Sequence, residues 1–335
     1  MQWEPLVHAG DIPVERSSHS ISCVDGKLYL FGGEHDARVP VSSDMYVYGL
    51  STDKKWTRLT ANGTVPTPRV AHSAVVIGTN IWIFGGRSGV EMGEGAKSDL
   101  YIFDTKTSTW AAAAVDESLL PPSRSYHTAC ACGDVMYVFG GCGAAGAGRL
   151  NDLWRLDTKS NQLKWEQMPT NPEIKGRGGS RLIPSPDGKL FVVAGFAGFE
   201  LSDMYEFDTK SCTWSSLPTD GLPARSVFGA GVHTCDNKQA LCQHSGHLIV
   251  FGGEIDPSTQ GHAGAGDFSD DLLCWDRGQG WHKLSASGSG PCARGWFAST
   301  LLPTGDLVIH GGLDCSNKRL GDMFILHMHG KGSEA

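Results

Sequence analysis

Apolar and polar positions alternate in short runs along this chain, and the runs recur at a regular spacing. "KLYLFGG" (27–33), "NIWIFGG" (80–86), "DVMYVFGG" (134–141), "HLIVFGG" (247–253) and "DLVIHGG" (306–312) are apolar runs of strand length closed by a Gly-Gly pair. A sixth copy, "KLFVVAG" (189–195), keeps only the second glycine. Successive second glycines stand 53, 55, 54, 58 and 59 residues apart. An arginine precedes each run (Arg16, Arg69, Arg124, Arg177, Arg225, Arg294). After each run comes an aspartate followed by Leu or Met and further alternation (Asp44, Asp99, Asp152, Asp203, Asp271, Asp322). A tryptophan then closes five of the six units: Trp56, Trp110, Trp165, Trp214 and Trp281. Period-2 alternation broken by turn residues predicts four short strands per unit.

The period and the Gly-Gly and Trp signature resemble the kelch repeat, a unit of β-propellers. The resemblance implies an all-β fold, a six-bladed kelch-type β-propeller with four antiparallel strands per blade. It covers essentially the whole chain, with residues 1–329 as one propeller and 330–335 as a flexible tail. The sixth unit, ending "LGDMFILHMHGKGSEA", contains no tryptophan, and Trp3 stands at the other end of the chain. Residues 1–8 are therefore expected to supply the outer strand of the last blade, closing the ring and leaving no long sheet edge. The tryptophans read as core residues of the blades. The glycines are expected where strand two turns sharply at a crowded channel, where a Cβ would cost most.

Composition narrows the functional classes. The chain of 335 residues has a formal net charge of −8 and a pI near 5.9, which argues against nucleic-acid binding. No apolar run approaches the roughly 18 residues of a membrane span, and "MQWEPLVHAGD" shows neither part of a secretion signal. Ten cysteines lie scattered without paired spacing. They read as reduced thiols, and the expected location is the cytoplasm.

In a four-stranded blade, the connection from strand two to strand three shares a face with the entry to strand one. From the second glycine to the strand-three aspartate the distances are 11, 13, 11, 8, 18 and 10 residues, so blade five has by far the longest connection. It reads "FGGEIDPSTQGHAGAGDFSDD" (251–271). Function in repeat proteins concentrates in such insertions. Asp256 before Pro257 reads as a helix cap, with Gly261 as the stop, and one turn over 257–260 would bring Glu254, Ser258 and His262 to one side. The segment 233–246 reads as a solvated loop on the other face. The recurring arginines are expected to hydrogen-bond carbonyls or acids between blades. His19, His72 and His127 read as satisfied strand histidines, and Asp271 as a structural turn residue. Arg87 does not recur at its offset in the other units, so repeat structure explains it less well.

The stretches "RGGSRL" (177–182), "VVAGFAG" (192–198), "ARSVF" (224–228), "GGEIDPSTQGH" (252–262) and "RGW" (294–296) are similar to the plant specifier proteins. These are the nitrile-specifier, epithiospecifier and thiocyanate-forming proteins. The resemblance implies an iron-dependent, lyase-type activity that directs glucosinolate aglucones, released by myrosinase, to nitriles. It places an iron site of Glu-x-x-x-Asp-x-x-x-His pattern on Glu254, Ser258 and His262, and a contact to the substrate sulfate on Arg87. Ser258 departs from the pattern, since a neutral hydroxyl is a poor ligand for Fe(II) while histidine and carboxylates suit it. The expected partner is thus a small anionic sulfated substrate. The other reading is a non-catalytic scaffold whose loop face binds a protein or a different small anion, because propellers host many functions.

Overall fold

The computed structural model describes residues 1–51, 53–91, 93–233, 247–257 and 266–328. The tail at 330–335 lies outside them. Six antiparallel sheets form a six-bladed β-propeller. Blade one is typical, with strands Ser20–Val24, Lys27–Phe31, Met45–Gly49 and Trp56–Arg58 paired in sequence order. Among the described residues no helix is long and apolar enough to cross a membrane.

Strand two reads as an unbroken apolar run because both its faces are covered. Each core cluster lies between two neighbouring blades. Leu28, Leu30 and Trp56 of blade one, for example, pack with Val308, Met323 and Ile325 of blade six. The last blade takes its outer strand from the N-terminus: Gln2–Pro5 pairs antiparallel with Arg319–His327, Trp3 opposite Leu326. Trp3 is buried against Phe251 of blade five and Phe324 of blade six.

The recurring arginines work mainly inside their own blades. Arg124 donates Nε to the Pro122 carbonyl, Nη1 to the first glycine of its own Gly-Gly pair, and a two-pronged pair of bonds to Asp152. Arg69–Asp99, Arg177–Asp203 and Arg294–Asp322 repeat this arrangement. Arg225 and Asp271 stand 3.7 Å apart, the aspartate being shared with Lys283. The contact between blades runs through the arginine's backbone carbonyl, which accepts a hydrogen bond from the second glycine of the preceding blade. Gly33 to Arg69 (3.0 Å), Gly86 to Arg124 (2.9 Å) and, across the seam, Gly312 to Arg16 (2.9 Å) are three of the six.

That contact also corrects the expected reason for the glycines. A Cβ on Gly32 (φ 65°) would lie 2.7 Å from the Arg69 carbonyl and 2.7 Å from the His72 ring, so the crowding is against the next blade rather than the channel. Blade four shows the tolerance: Ala194 holds the same left-handed backbone at φ 51°.

Two residues after each arginine lies a second closed circuit. The N–H of Ser18, Ala71, Tyr126, Gly179, Val227 and Trp296 donates in turn to the carbonyl of the corresponding residue one blade back, with Ser18 bonding to Trp296, at 2.8–3.0 Å. All six have φ between 48° and 63°. Five are not glycine, so the ring over-determines a strained conformation at each. Tyr126, Gly179, Val227 and Trp296 border both a cavity at the mouth and the channel behind it, which makes this ring the partition between them.

Candidate functional site

The mouth cavity, about 200 Å³, sits above the hydrogen-bonded ring. Its walls are largely apolar, with Tyr126 and Trp296 meeting edge to face at 5.5 Å. Into this setting the blades bring charged side chains from several strand two-to-three connections. Arg87, the residue after the Gly-Gly of blade two, is buried. It donates Nη1 to the Glu91 carbonyl at 2.9 Å and lies over the Tyr126 ring at 5.3 Å, while its Nε–H has no hydrogen-bond partner among the described residues. Arg149, opening strand three of blade three, stacks at 4.7 Å over Phe196, and its Nε–H also has none. The Ser125 hydroxyl, buried at the cavity wall, is likewise without a partner. Cys142 lines the same wall, where burial pushes its thiol up against the opposing pull of Arg149 and Arg87.

Glu254 reaches the cavity from blade five, in a short strand, Glu254–Asp256, paired with Asp267–Phe268. Its backbone is held by reciprocal bonds with Ser226, both 2.9 Å. Behind Ser226 stands Glu200, which accepts the Ser226 hydroxyl at 3.1 Å on one oxygen and has a buried, unpartnered second oxygen. Burial first, then the Glu254 carboxylate, pushes Glu200 up to about 8. Tyr126 is also pushed up, by burial and by the Glu34 charge.

The Glu200 shift has a thermodynamic consequence of definite sign. A carboxyl whose folded value is raised binds its proton more tightly in the folded chain, so its contribution is fullest below the unfolded value and is lost as pH climbs to about 8. Glu200→Gln mimics the protonated form. It is expected to match wild type near pH 5 and to exceed it at pH 8.5 by about 1–3 kcal/mol, allowing for partial exposure. Denaturant unfolding at the two pH values measures this, and parallel pH profiles for the two proteins would contradict it.

Of the residues singled out in the sequence, Arg87 and Glu254 line this one cavity. Ser258 and His262 lie outside the described residues, as does the turn expected over 257–260 beyond Pro257. So does the loop expected at 233–246, save His233. His19, His72 and His127 are buried just ahead of strand one and bond through Nε2 to His310, Ser20 and Ser73, but the Nδ1 of each has no partner among the described residues, so they are satisfied on one side only. Among the described residues no group of three His, Cys, Asp or Glu side chains is gathered to hold a metal.

Arg149 and Glu200 escaped the sequence reading. Both stand three residues before the strand-three aspartate, a position occupied by Val41, Ala96, Arg149, Glu200, Phe268 and Arg319 in the six blades. Charge at three of six copies of one offset was the available signal.

Comparison with known proteins places these features. Residues 18–241 match the KLHDC2/KLHL20/DRC7 Kelch-repeats domain. An N-(sulfonatooxy)prop-2-enimidothioate sulfolyase of Thlaspi arvense is 29% identical, over 94% of this chain and 93% of that protein. The leucine-zipper-like transcriptional regulator 1 homolog of Drosophila melanogaster is 26% identical over 96% of the chain, which spans 32% of that longer protein. Kelch domain-containing protein 3 of Bos taurus is 27% identical, over 76% of this chain and 65% of its own length. The solved structure of YjhT shares the fold, with a TM-score of 0.72 at 21% identity, over 93% of this chain and 95% of the other.

Proposed function

We propose, for a chain that belongs to the kelch-repeat family, that the mouth cavity binds a small sulfated organic anion and directs its breakdown, as a specifier-type lyase. The observation that carries this reading is a set of three guanidiniums, Arg38, Arg87 and Arg149, in one apolar-walled cavity, each with an Nε–H that has no partner among the described residues. The name of the Thlaspi relative supplies a substrate of matching chemistry, an imidothioate bearing an N-linked sulfate. In the proposed pose Arg87 and Arg149 receive the sulfate, and Tyr126 and Trp296 enclose the organic side chain and exclude water. As the N–O bond breaks, its electron pair leaves with the sulfate, the C–S pair becomes the third C–N bond of the nitrile, and the sulfur is released at the zero oxidation level; N–H groups at the sulfate stabilise the charge gathering there. An intracellular setting, read from free thiols such as Cys142 and Cys212, belongs to the same proposal.

Ferrous iron, which the specifier resemblance implies, can be tested against the donors present. Carboxylate oxygen and imidazole suit it. The described part of the site offers carboxylate oxygen: burial first, and the Glu254 charge second, keep Glu200 protonated, and a divalent cation would offset both. These two would hold the ion, with His262 as the expected nitrogen donor from beyond the described residues. Bound there, iron would supply Lewis acidity toward the substrate sulfur.

The test is an incubation of a glucosinolate with myrosinase and ferrous iron, with and without this protein, and with products read by gas chromatography. The protein is expected to raise the nitrile share, and Arg87→Ala to lower that effect at least about 10-fold, the worth of a charge-assisted hydrogen bond. A nitrile share unchanged by the wild-type protein would end this reading.

One observation favours a second reading, the docking of a protein on this face. Val39, Val90, Phe199 and Ile255 are all exposed and lie on the strand two-to-three connections of blades one, two, four and five. Connections on one face of a propeller are where such a partner would bind.

A further inference from the structure

Behind the hydrogen-bonded ring the channel holds a cation with no counter-charge. Arg181, at the start of strand one of blade four, borders both the space under the ring, about 80 Å³, and the wider channel of about 420 Å³ that continues from it. Among the described residues its side chain makes one hydrogen bond, from Nε to the Phe228 carbonyl of blade five, at 2.6 Å. No salt bridge engages it among the described residues, unlike Arg69, Arg124, Arg177 and Arg294. Neither part of the channel is lined by an aspartate or glutamate among the described residues. Among the described residues the rest of the guanidinium therefore meets the channel and not a carboxylate. Enclosure pushes Arg181 down to about 10, still far above neutrality, so the charge persists.

Arg181 is partly buried, and with no opposite charge lining the channel among the described residues it gives that confined space a positive potential, which concentrates small anions there. The guanidinium presents its Nη donors as a planar fork suited to an anion. The space under the ring also carries the Ser180 hydroxyl as a possible further donor. At about 80 Å³ it accommodates a small ion with a few waters, since one water occupies roughly 10–15 Å³ by the same measure. A metabolite-sized ligand does not fit there. The ring separates this space from the mouth cavity, so the two are distinct sites.

We infer that the channel of this propeller is a binding site for a small inorganic monoanion of chloride size, held by Arg181. The anion neutralises the channel and stabilises the junction that Arg181 makes between blades four and five. The inference does not rest on the proposed lyase activity: a protein without effect on nitrile formation could still bind the ion, and the reverse.

Thermal unfolding across a chloride series tests it, with ionic strength held constant by gluconate and a gluconate-only series run in parallel to correct for any binding of that larger anion in the wider channel. The wild-type midpoint is expected to rise and then saturate with chloride, as it does for a ligand that binds only the folded chain. Bromide should act in the same way. Arg181→Met, similar in length and uncharged, should lose the saturable rise, and Arg181→Lys should keep part of it. Crystals of the wild-type protein grown in bromide should show an anomalous peak beside the Arg181 guanidinium, a readout that survives even where Arg181→Met does not fold. Equal chloride responses in wild type and Arg181→Met would overturn the inference. So would a bromide-free channel with only water beside the guanidinium.

Discussion

Trp3→Ala is expected to lower the thermal midpoint on the order of 6–15 °C. The indole is 6% exposed and packs edge-on against Phe251 at 5.1 Å and Phe324 at 6.4 Å. Its backbone N–H donates to the Ser287 carbonyl at 2.9 Å, tying the N-terminal strand to the entry of the last blade as well as to Arg319–His327. Truncating a buried tryptophan costs about 3–5 kcal/mol, and in a chain of this size each kcal/mol moves the midpoint about 2–4 °C or a little less. The loss falls on the one blade assembled from both ends of the chain, so hydrogen exchange should quicken in Gln2–Pro5 and in its partner strand together. Trp214→Ala is the comparison, since that indole is only half-buried and should cost less. A midpoint for Trp3→Ala within a degree or so of wild type would mean that the ring does not depend on this clasp.

Asp152→Ala is expected to destabilise by about 3–5 kcal/mol, because it leaves the fully buried Arg124 charge without its partner. Asp152 also accepts the Trp154 indole N–H at 2.6 Å, so a second buried donor loses its acceptor. Burial pushes its carboxyl up, but Arg124 and Trp154 outweigh that and hold it below the usual range. Asp322→Ala removes the same bidentate partner from Arg294 in blade six, but the Asp322 side chain is 43% exposed against 12% for Asp152. Water can take its place there, and the expected cost falls to about 1 kcal/mol or little more. Denaturant unfolding of the two variants side by side measures the difference. Equally small losses would show that the carbonyl bonds of the arginines, not the carboxylates, hold the blade entries, and equally large ones that exposure of the carboxylate does not matter. Replacing both Arg124 and Asp152 by apolar residues should cost less than Asp152→Ala alone.

The blades were legible because their determinants are local in sequence. A Gly-Gly pair, an aspartate and a tryptophan at nearly fixed offsets set the strand count, and the displaced Trp3 disclosed the closure. The arginines were harder. Their side chains satisfy acceptors 16 to 30 residues away in the same blade, while their carbonyls make the contact between blades. Sequence offsets do not separate the two roles. The site was legible only in part, since Arg87 departs from the pattern and Glu254 sits in the longest connection. Arg149 and Glu200 occupy equivalent offsets in neighbouring blades, and nothing in either unit alone says that both converge with Glu254 and Arg87. Their meaning comes from circular arrangement, which places residues distant in sequence around one mouth.

The partition ring has an electrical consequence. Its six N–H···O=C bonds follow one another in a single sense, from Ser18 to Trp296 and around through Val227, Gly179, Tyr126 and Ala71. Each peptide group carries a dipole, and each bond in such a chain polarises the next. Bent into a closed circle, these vectors run head to tail and largely cancel, unlike those of a helix, whose ends stay charged. The floor of the cavity is therefore stiff yet nearly field-free. A ligand resting on it feels chiefly the potential of the side chains above, so exchanging Arg149 for a carboxylate changes the charge of the site by two while the scaffold stays electrically silent.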